Sequence, residues 1–501
     1  MKRTSLEDIR KIVDGQSFWW PGADCAGADV NVASAAVRSL AAVSVEAVEM
    51  DSRKIGPDGP LFIAIKGETF DAHDFLPQAF AAGAGGALVD VRVPLPADLA
   101  RRFGDRLIGV SDTLAALGRL GRWHRDAMPA RVIAVTGSNG KTTTKRMLHH
   151  ILSRVAGGTP ASRLHGTCSP KSFNNNIGVP LTLLGVGECD QYVVCEVGTN
   201  APGEITQLGE ICRPDVAVIT SVGETHLEKL GSLELVAKEK ASLLRSLSYA
   251  GLRGAGQAVV WADNESLRRE AVAATGGAAV TWFGQSADAH WRLVDFEGGA
   301  DCVRFSVRVG GRDVRVVLPQ PGRHSASNAT AAMAAAACLG VSAEDAAAAL
   351  ADFGGVEMRL EAVPAGSVRL INDAYNANPA SMAAAADVLG DQPGARRVMI
   401  AGDMRELGES TISLHERTGR EIASGRVDFL IGIGLLGRYI ARGAASAGAT
   451  ARTAEFDSVE SAIEALPALL RAGDTILIKG SRGMAMERLV GPIVRFGAAA
   501  T

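Results

Sequence analysis

The chain has 501 residues, which at about 100–200 residues per domain predicts roughly three domains and excludes a single small binding module. Lys and Arg total 52 against 55 Asp and Glu, a net charge of −3, so there is no basic excess with which to grip a phosphate backbone, and a dedicated nucleic-acid binder is disfavoured. A hydrophobic content of 47% with 21% charged residues excludes a mostly disordered chain.

Met1–Trp20 lacks the continuous apolar core of a signal peptide, and no run approaches the ~20 apolar residues of a membrane span. The cysteines (Cys25, Cys168, Cys189, Cys195, Cys212, Cys302, Cys338) are scattered, odd in number and without a C-x-x-C pair, which argues against disulfides and structural zinc. A soluble protein of the reducing cytoplasm, without a membrane span and working as a monomer, is the expectation. Trp19–Gly27 carries no readable pattern.

From Val43 to Val93 short apolar runs, including Pro60–Ile65, alternate with polar turns, and an alanine-rich helix is expected around Leu76–Ala84. A helix follows over Thr113–Trp123, and Pro129 opens a new pattern. Val132–Val135, Tyr192–Cys195 and Val216–Ile219 read as buried strands alternating with helices, which predicts a parallel sheet with crossover connections. Between Trp291 and Leu318 the period becomes two, with Gly298-Gly299 and Gly310-Gly311 as hairpin turns. A helix is expected over Asn328–Leu339, and the Ala346–Ala349 run reads as helix surface and close packing. Strands at Val368–Ile371, Val398–Ala401, Phe429–Ile433 and Thr475–Ile478 then form a second doubly wound α/β unit. The expected architecture is α/β in three domains: 1–126, 127–356 and 357–501.

The strongest chemical signal is Gly137-Ser138-Asn139-Gly140-Lys141-Thr142-Thr143, between a buried strand and a helix. Backbone N–H groups at a helix start can surround phosphate oxygens, Lys141 can neutralise β/γ charge, and the Thr142 hydroxyl can join a magnesium shell. Val135 stands where a full G-x-x-x-x-G-K-[ST] loop has its first glycine, so an ordinary glycine turn is the alternative. Glu196 ends an apolar strand on the side where parallel sheets bind ligands, yet a strand-end glutamate is more often solvated. His226 and Lys240 taken singly read equally well as a structural histidine and a solvated helix charge.

The order of motifs supplies what single residues do not. Thr136–Thr142, Phe173-Asn-Asn-Asn-Ile-Gly178 and onward to Leu184, Glu196-Val-Gly198 and Thr225-His-Leu-Glu-Lys-Leu-Gly231 together resemble the ATP-dependent Mur ligases of peptidoglycan synthesis. Asp373-Ala-Tyr-Asn-Ala-Asn378, Gly402-Asp-Met404 with Glu406-Leu-Gly408, and Lys479-Gly-Ser-Arg482 are similar to the branch that adds D-alanyl-D-alanine. Asp51-Ser-Arg-Lys54, Ala64-Ile-Lys-Gly67 and Phe70-Asp-Ala-His73 resemble that branch's UDP-sugar-binding domain, although turn and cap preferences alone also favour such residues.

The resemblance implies a UDP-binding N-domain, a central phosphate-loop ATPase domain and a Rossmann-like C-terminal domain. It implies ATP and two Mg2+ ions, one served by Thr142 and the other by Glu196, His226 and a carbamylated Lys240, with Lys238 as the alternative modified lysine. Lys141, His226 and Lys240 are the implied catalytic residues. Asn328, Arg359 and Asp373 are implied ATP contacts, against readings as helix N-cap, surface pair and strand-end cap. Ser52, Arg53, Lys66, Gly67, Phe70, Asp71, His73, Asn175, Tyr375, Asn376 and Asn378 are implied to touch the small-molecule substrates, as are Lys479, Ser481 and Arg482, which could equally be a solvated helix start. The implied activity adds D-alanyl-D-alanine to UDP-N-acetylmuramoyl-tripeptide through an acyl phosphate, a step in cell-wall biogenesis on which cell shape and division depend. A third-residue-adding or folylpolyglutamate-type ligase is the runner-up, and a nucleotide-dependent switch the reading from another class.

Overall fold

The computed structural model describes residues 1–17, 40–154, 164–247, 255–447 and 452–499; Trp19–Gly27, with Cys25, lies outside them. The other six cysteines are free thiols. No described helix is long and apolar enough to cross a membrane. The chain forms two compact units, one of residues 1–134, 165–197 and 207–214, the other of residues 135–164, 198–206 and 215–501.

In the first unit, strands Gln16–Ser17, Leu107–Val110, Gly86–Asp90, Leu61–Ile63 and Val48–Glu49 lie in that order, parallel except for the first pairing. Alternation along these strands sends Leu61, Ile63 and Leu88 to one apolar layer and Phe62, Ala87 and Val89 to the other. Helices Leu6–Ile12 and Thr113–Ala127 cover the first layer, and Leu76–Ala81 and Ala97–Phe103 the second. The helix expected over Thr113–Trp123 runs to Ala127; its start is fixed by Asp112, whose carboxylate accepts the N–H groups of Leu114 and Ala115. Strand Tyr192–Glu196 pairs in parallel with Gly166–Cys168, a short strand the sequence pattern did not announce.

In the second unit, Val216–Ile219, Gln257–Trp261, Val280–Gly284 and Trp291–Glu297 pair successively in parallel. Val303–Val309 and Arg312–Leu318 continue antiparallel, as the period-two pattern predicts. Gly310 and Gly311 both take positive φ, 56° and 77°, as a two-residue hairpin turn requires. The helix expected from Asn328 begins earlier, at Arg323, and runs to Ala337. Asn328 therefore sits in its second turn, and the N-cap alternative for it is excluded.

The rest of this unit is a six-stranded sheet in the order Glu361–Ala365, Val368–Asp373, Asp474–Lys479, Arg396–Gly402, Phe429–Ile433, Arg452–Phe456. All neighbours are parallel except the first pair, whose edge strand carries Pro364. Helices Thr411–Ala423 and Gly434–Ser446 approach at two glycines: a Cβ on Gly419 would overlap the carbonyl oxygen of Ile440, and one on Gly443 that of Glu416. Backbone on both sides leaves nothing to move aside. Gly419→Ala is therefore expected to destabilise the protein by about 1–3 kcal/mol, read as a lower urea midpoint, whereas Gly425→Ala, outside the helix contact, serves as the matched control.

Candidate functional site

Strand Arg131–Thr136 delivers the chain to the turn 137–140, and helix Lys141–Arg154 departs from it. The turn is pinned by residues 220–225. The N–H of Ser138 donates to Ser221 O at 2.9 Å, that of Asn139 to Ser221 Oγ at 2.9 Å, and Thr220 Oγ1 donates to Asn139 O at 2.5 Å. Ser138 Oγ accepts from Gly223 N–H at 3.0 Å and from Thr225 Oγ1 at 3.0 Å. The N–H groups of Ser138 and Asn139 thus serve the fold, and the candidate anion cradle moves one step on, to the start of the helix at Lys141. Gly137 and Gly140 have positive φ, 147° and 83°, and a Cβ would run into Thr220 Oγ1 at the first and Asn328 Oδ1 at the second. Lys141 Nζ folds back over the turn, 2.7 Å from Gly137 O.

Lys240 lies in helix Leu233–Ala241 and is fully buried, and its Nζ has no hydrogen-bond partner. Burial drives its pKa well below the ordinary lysine range; the positive charge of Lys141 pushes the same way, and Glu239 and Glu204 pull back. Lys238, the alternative position, is exposed. Glu239 is occupied elsewhere, accepting the N–H groups of Gly203 at 2.9 Å and Ile205 at 3.0 Å. His226 has a left-handed backbone and precedes the short helix Leu227–Leu230. Its Nδ1 is 2.5 Å from Glu406 Oε2, and that hydrogen bond holds the Glu406 carboxyl below its usual range.

Residues from 357 onward reach the same loop. Arg359 donates to Thr142 Oγ1 at 3.1 Å, lies 4.2 Å over the Tyr375 ring, and keeps a buried Nε without a partner. It is no surface pair. Asn378 and Asn139 exchange amide hydrogen bonds of 2.6 and 3.3 Å. Asn378 also caps helix Pro379–Gly390, accepting from Ser381 N–H at 2.9 Å. Arg417 pairs with Glu224, and Leu227 packs into the apolar core formed by Ile371, Met404 and Leu407.

Several residues implied to touch substrate are engaged inside the fold. Lys479 is buried, its Nζ 2.6 Å from Asp373 Oδ2 and 2.9 Å from Asn376 O, at the carboxyl ends of adjacent parallel strands. Asp373 Oδ1 also accepts the Leu360 N–H, so it joins an ion pair to a cap. Ser481 Oγ accepts from Arg405 N–H at 3.0 Å, and Arg482 pairs with Glu487 at 2.6 Å. Lys479 and Ser481 are buried and begin no solvated helix, whereas Arg482 is exposed and opens the short 3-10 helix Arg482–Met484, as the alternative reading has it.

In the first unit, Glu196 is 1% exposed at the end of its strand, which excludes a solvated residue; Oε1 accepts from Asn174 Nδ2 at 3.0 Å. Asn175, implied to touch substrate, caps its own turn through the N–H groups of Ile177 and Gly178. Lys66, Gly67, Phe70 and Asp71 share one turn: Lys66 Nζ lies 3.6 Å from Asp71, and Gly67 N–H donates to Phe70 O. Phe70 is 60% exposed and meets Phe75 edge to face. His73 is buried with both ring nitrogens engaged, Nδ1 with Asp71 at 2.5 Å and Nε2 accepting Asp90 N–H at 2.9 Å, so it braces the fold. Ser52 and Arg53 form a short 3-10 turn capped by Asp51, whose carboxyl the Arg53 guanidinium holds down to about 2.

A glycine turn between strand and helix, a lysine and threonine at the helix start and an arginine reaching that threonine define a phosphate-loop nucleotide-binding α/β protein. Residues 135–336 match the Mur ligase middle domain and residues 358–482 the Mur ligase glutamate ligase domain. The UDP-N-acetylmuramoyl-tripeptide--D-alanyl-D-alanine ligase of Bacillus subtilis is 36% identical over 90% of this chain and 93% of its own length. Its Escherichia coli counterpart is 36% identical over 89% and 93%. The crystal structure of MurF from Acinetobacter baumannii is similar at a TM-score of 0.82 and 30% identity, over 99% of both chains. The chain belongs to the Mur ligase family.

The buried Asp373–Lys479 pair sets a test. Lys479→Met leaves the carboxylate without its cation and is expected to cost about 3 kcal/mol in urea unfolding; adding Asp373→Asn should return a large part of that loss.

Proposed function

We infer that the chain is an ATP-dependent, ADP-forming amide ligase that joins D-alanyl-D-alanine to UDP-N-acetylmuramoyl-tripeptide in peptidoglycan synthesis. The observation that carries this is the meeting of Arg359, brought by the C-terminal segment, with Thr142 at the phosphate loop, which sets a second cationic side chain at the helix start that carries Lys141. On this reading residues 1–126 take the UDP-sugar, 127–356 the ATP, and 357–501 close on the phosphate loop.

A free carboxylate is a poor electrophile. An oxygen of the tripeptide's terminal carboxylate attacks the γ-phosphorus, the bond to the β-γ bridging oxygen breaks, and ADP leaves. The neutral amine of D-alanyl-D-alanine then adds to the carbonyl carbon of the acyl phosphate, phosphate departs, and the amine proton is lost as the amide forms. The protein's task is positioning and charge: Lys141 and Arg359 face the growing negative charge on phosphoryl oxygens, and Tyr375 holds the guanidinium plane.

Divalent magnesium, when bound, neutralises phosphoryl oxygens. Thr142 would hold one ion; His226 and a carbamylated Lys240 would hold another. The residues suit the task. An unpartnered, buried ammonium is unstable, and its depressed pKa supplies the neutral amine that adds to CO2, releasing one proton and leaving a carbamate whose oxygens suit a hard cation. Exposed Lys238 has neither property.

Purified protein should release ADP only when ATP, magnesium, the muramoyl tripeptide and D-alanyl-D-alanine are all present, with the pentapeptide seen by mass. Lys141→Ala should lower turnover by at least about 100-fold. Absence of product with every component present would overturn the reading. Separately, 13C-labelled CO2 should give a carbamate carbon resonance that Lys240→Ala loses and Lys238→Ala keeps, and stripping CO2 should lower turnover reversibly.

A further inference from the structure

The motif Glu406-Leu-Gly408 has no part in the chemistry above, yet its first residue makes one of the most specific contacts in the second unit. The Glu406 carboxylate is 2.5 Å from His226 Nδ1, and its backbone oxygen accepts the N–H of Glu228 at 3.2 Å. Both partners stand at positive φ, 55° for His226 and 65° for Glu406, where residues other than glycine are uncommon. Such conformations persist where surroundings enforce them, and here both serve one contact. Gly408, at φ 64°, completes the approach, because a Cβ there would sit 3.1 Å from Glu228 Cα.

The pattern of partners separates this imidazole from the buried structural histidines of the same chain; His165, with Nδ1 2.9 Å from Asp190, shares the pattern but is exposed, and its backbone does not take positive φ. His73 uses both ring nitrogens inside the protein, and so does His415, through Thr411 O and the N–H of Met404. His226 uses only Nδ1, and among the described residues its Nε2 meets no protein partner. A carboxylate only accepts, so Nδ1 carries a proton, and in the neutral ring the lone pair lies on Nε2. An imidazole held by a carboxylate at one nitrogen and open at the other is oriented as a metal ligand.

We propose that Glu406 is a positioning residue: it fixes His226 in the Nδ1–H tautomer and presents Nε2 to a divalent cation. Because Glu406 belongs to the C-terminal segment, cation affinity at His226 depends on that segment's closure. The ties around the contact act together, with Arg417 holding Glu224 two residues before His226 and Leu227, half-buried, packed against the C-terminal core just after it. The inference rests on His226 as a metal ligand in the proposed function.

The test uses the full chain with ADP and Mn2+ as the probe, bound cation being counted by electron paramagnetic resonance, and 15N spectra of labelled histidine rings. Glu406→Ala should weaken Mn2+ binding about 10-fold or more and move the His226 ring away from the Nδ1–H form. Glu406→Gln, whose amide oxygen still accepts, should keep the tautomer and most of the affinity. Arg417→Ala, which loosens the neighbouring tie without touching the ring, should leave the tautomer unchanged. In turnover, Glu406→Ala should lower kcat with little change in the KM for either peptide substrate. Wild-type Mn2+ affinity in Glu406→Ala, or a wild-type His226 already protonated at Nε2, overturns the proposal. Should Glu406→Ala fail to fold, the wild-type tautomer and the Glu406→Gln affinity still decide it. Pentapeptide synthesis is measured apart from these readouts, so a ligase without Glu406-dependent cation binding and a cation site without ligase activity are distinct results.

Discussion

A polypeptide turn can be placed around an anion only if its backbone comes close without side chains in the way, and the turn 137–140 meets that demand at two points. Gly137 lies against Thr220 and Gly140 against Asn328, each too close for a methyl group. Loop 220–225 then fastens the turn from behind through Ser221 and Thr220, and helix Arg323–Ala337 supplies Asn328 from its second turn. Arg359, Asn378 and the loop holding His226 are all referred to this one fixed piece of backbone, so a shift of the turn would displace each of them.

The ties from the C-terminal segment to that loop differ in kind from those within it. Asn139–Asn378, Thr142–Arg359 and Glu224–Arg417 are side-chain contacts, partly open to solvent, each of modest worth. Contacts of this size can part without unfolding the elements they join. The buried Asp373–Lys479 pair has the opposite character. It joins neighbouring strands inside one sheet and keeps the Asp373 end rigid while Arg359, attached nearby through Leu360, meets the phosphate loop.

What the sequence revealed follows the range over which each interaction acts. Strand, turn and helix around Lys141 were legible because glycine spacing and hydrophobic period are local properties. The hairpins near Gly310 were legible for the same reason. Helix Arg323–Ala337 was placed late by five residues, although Gly322, at φ 89°, offered a boundary signal. The edge strand Glu361–Ala365 went unread because Pro364 interrupts its pattern. At the site, the family pattern named His226 and Lys240, but the Glu406 partner lies 180 residues from His226, and no spacing rule connects them. Lys479, Ser481 and His73 were read by residue type, which does not reveal that each is also held by hydrogen bonds within the protein.

Pro364 also determines how the six-stranded sheet ends. An exposed edge strand normally offers a ladder of N–H and C=O groups to which another chain can add, the first step toward intermolecular β-structure. Proline has no N–H to offer, so an incoming strand meets a gap at the fourth residue of a five-residue template. The residue that hid this strand from pattern reading thereby makes this edge of the sheet a poor template for a further strand.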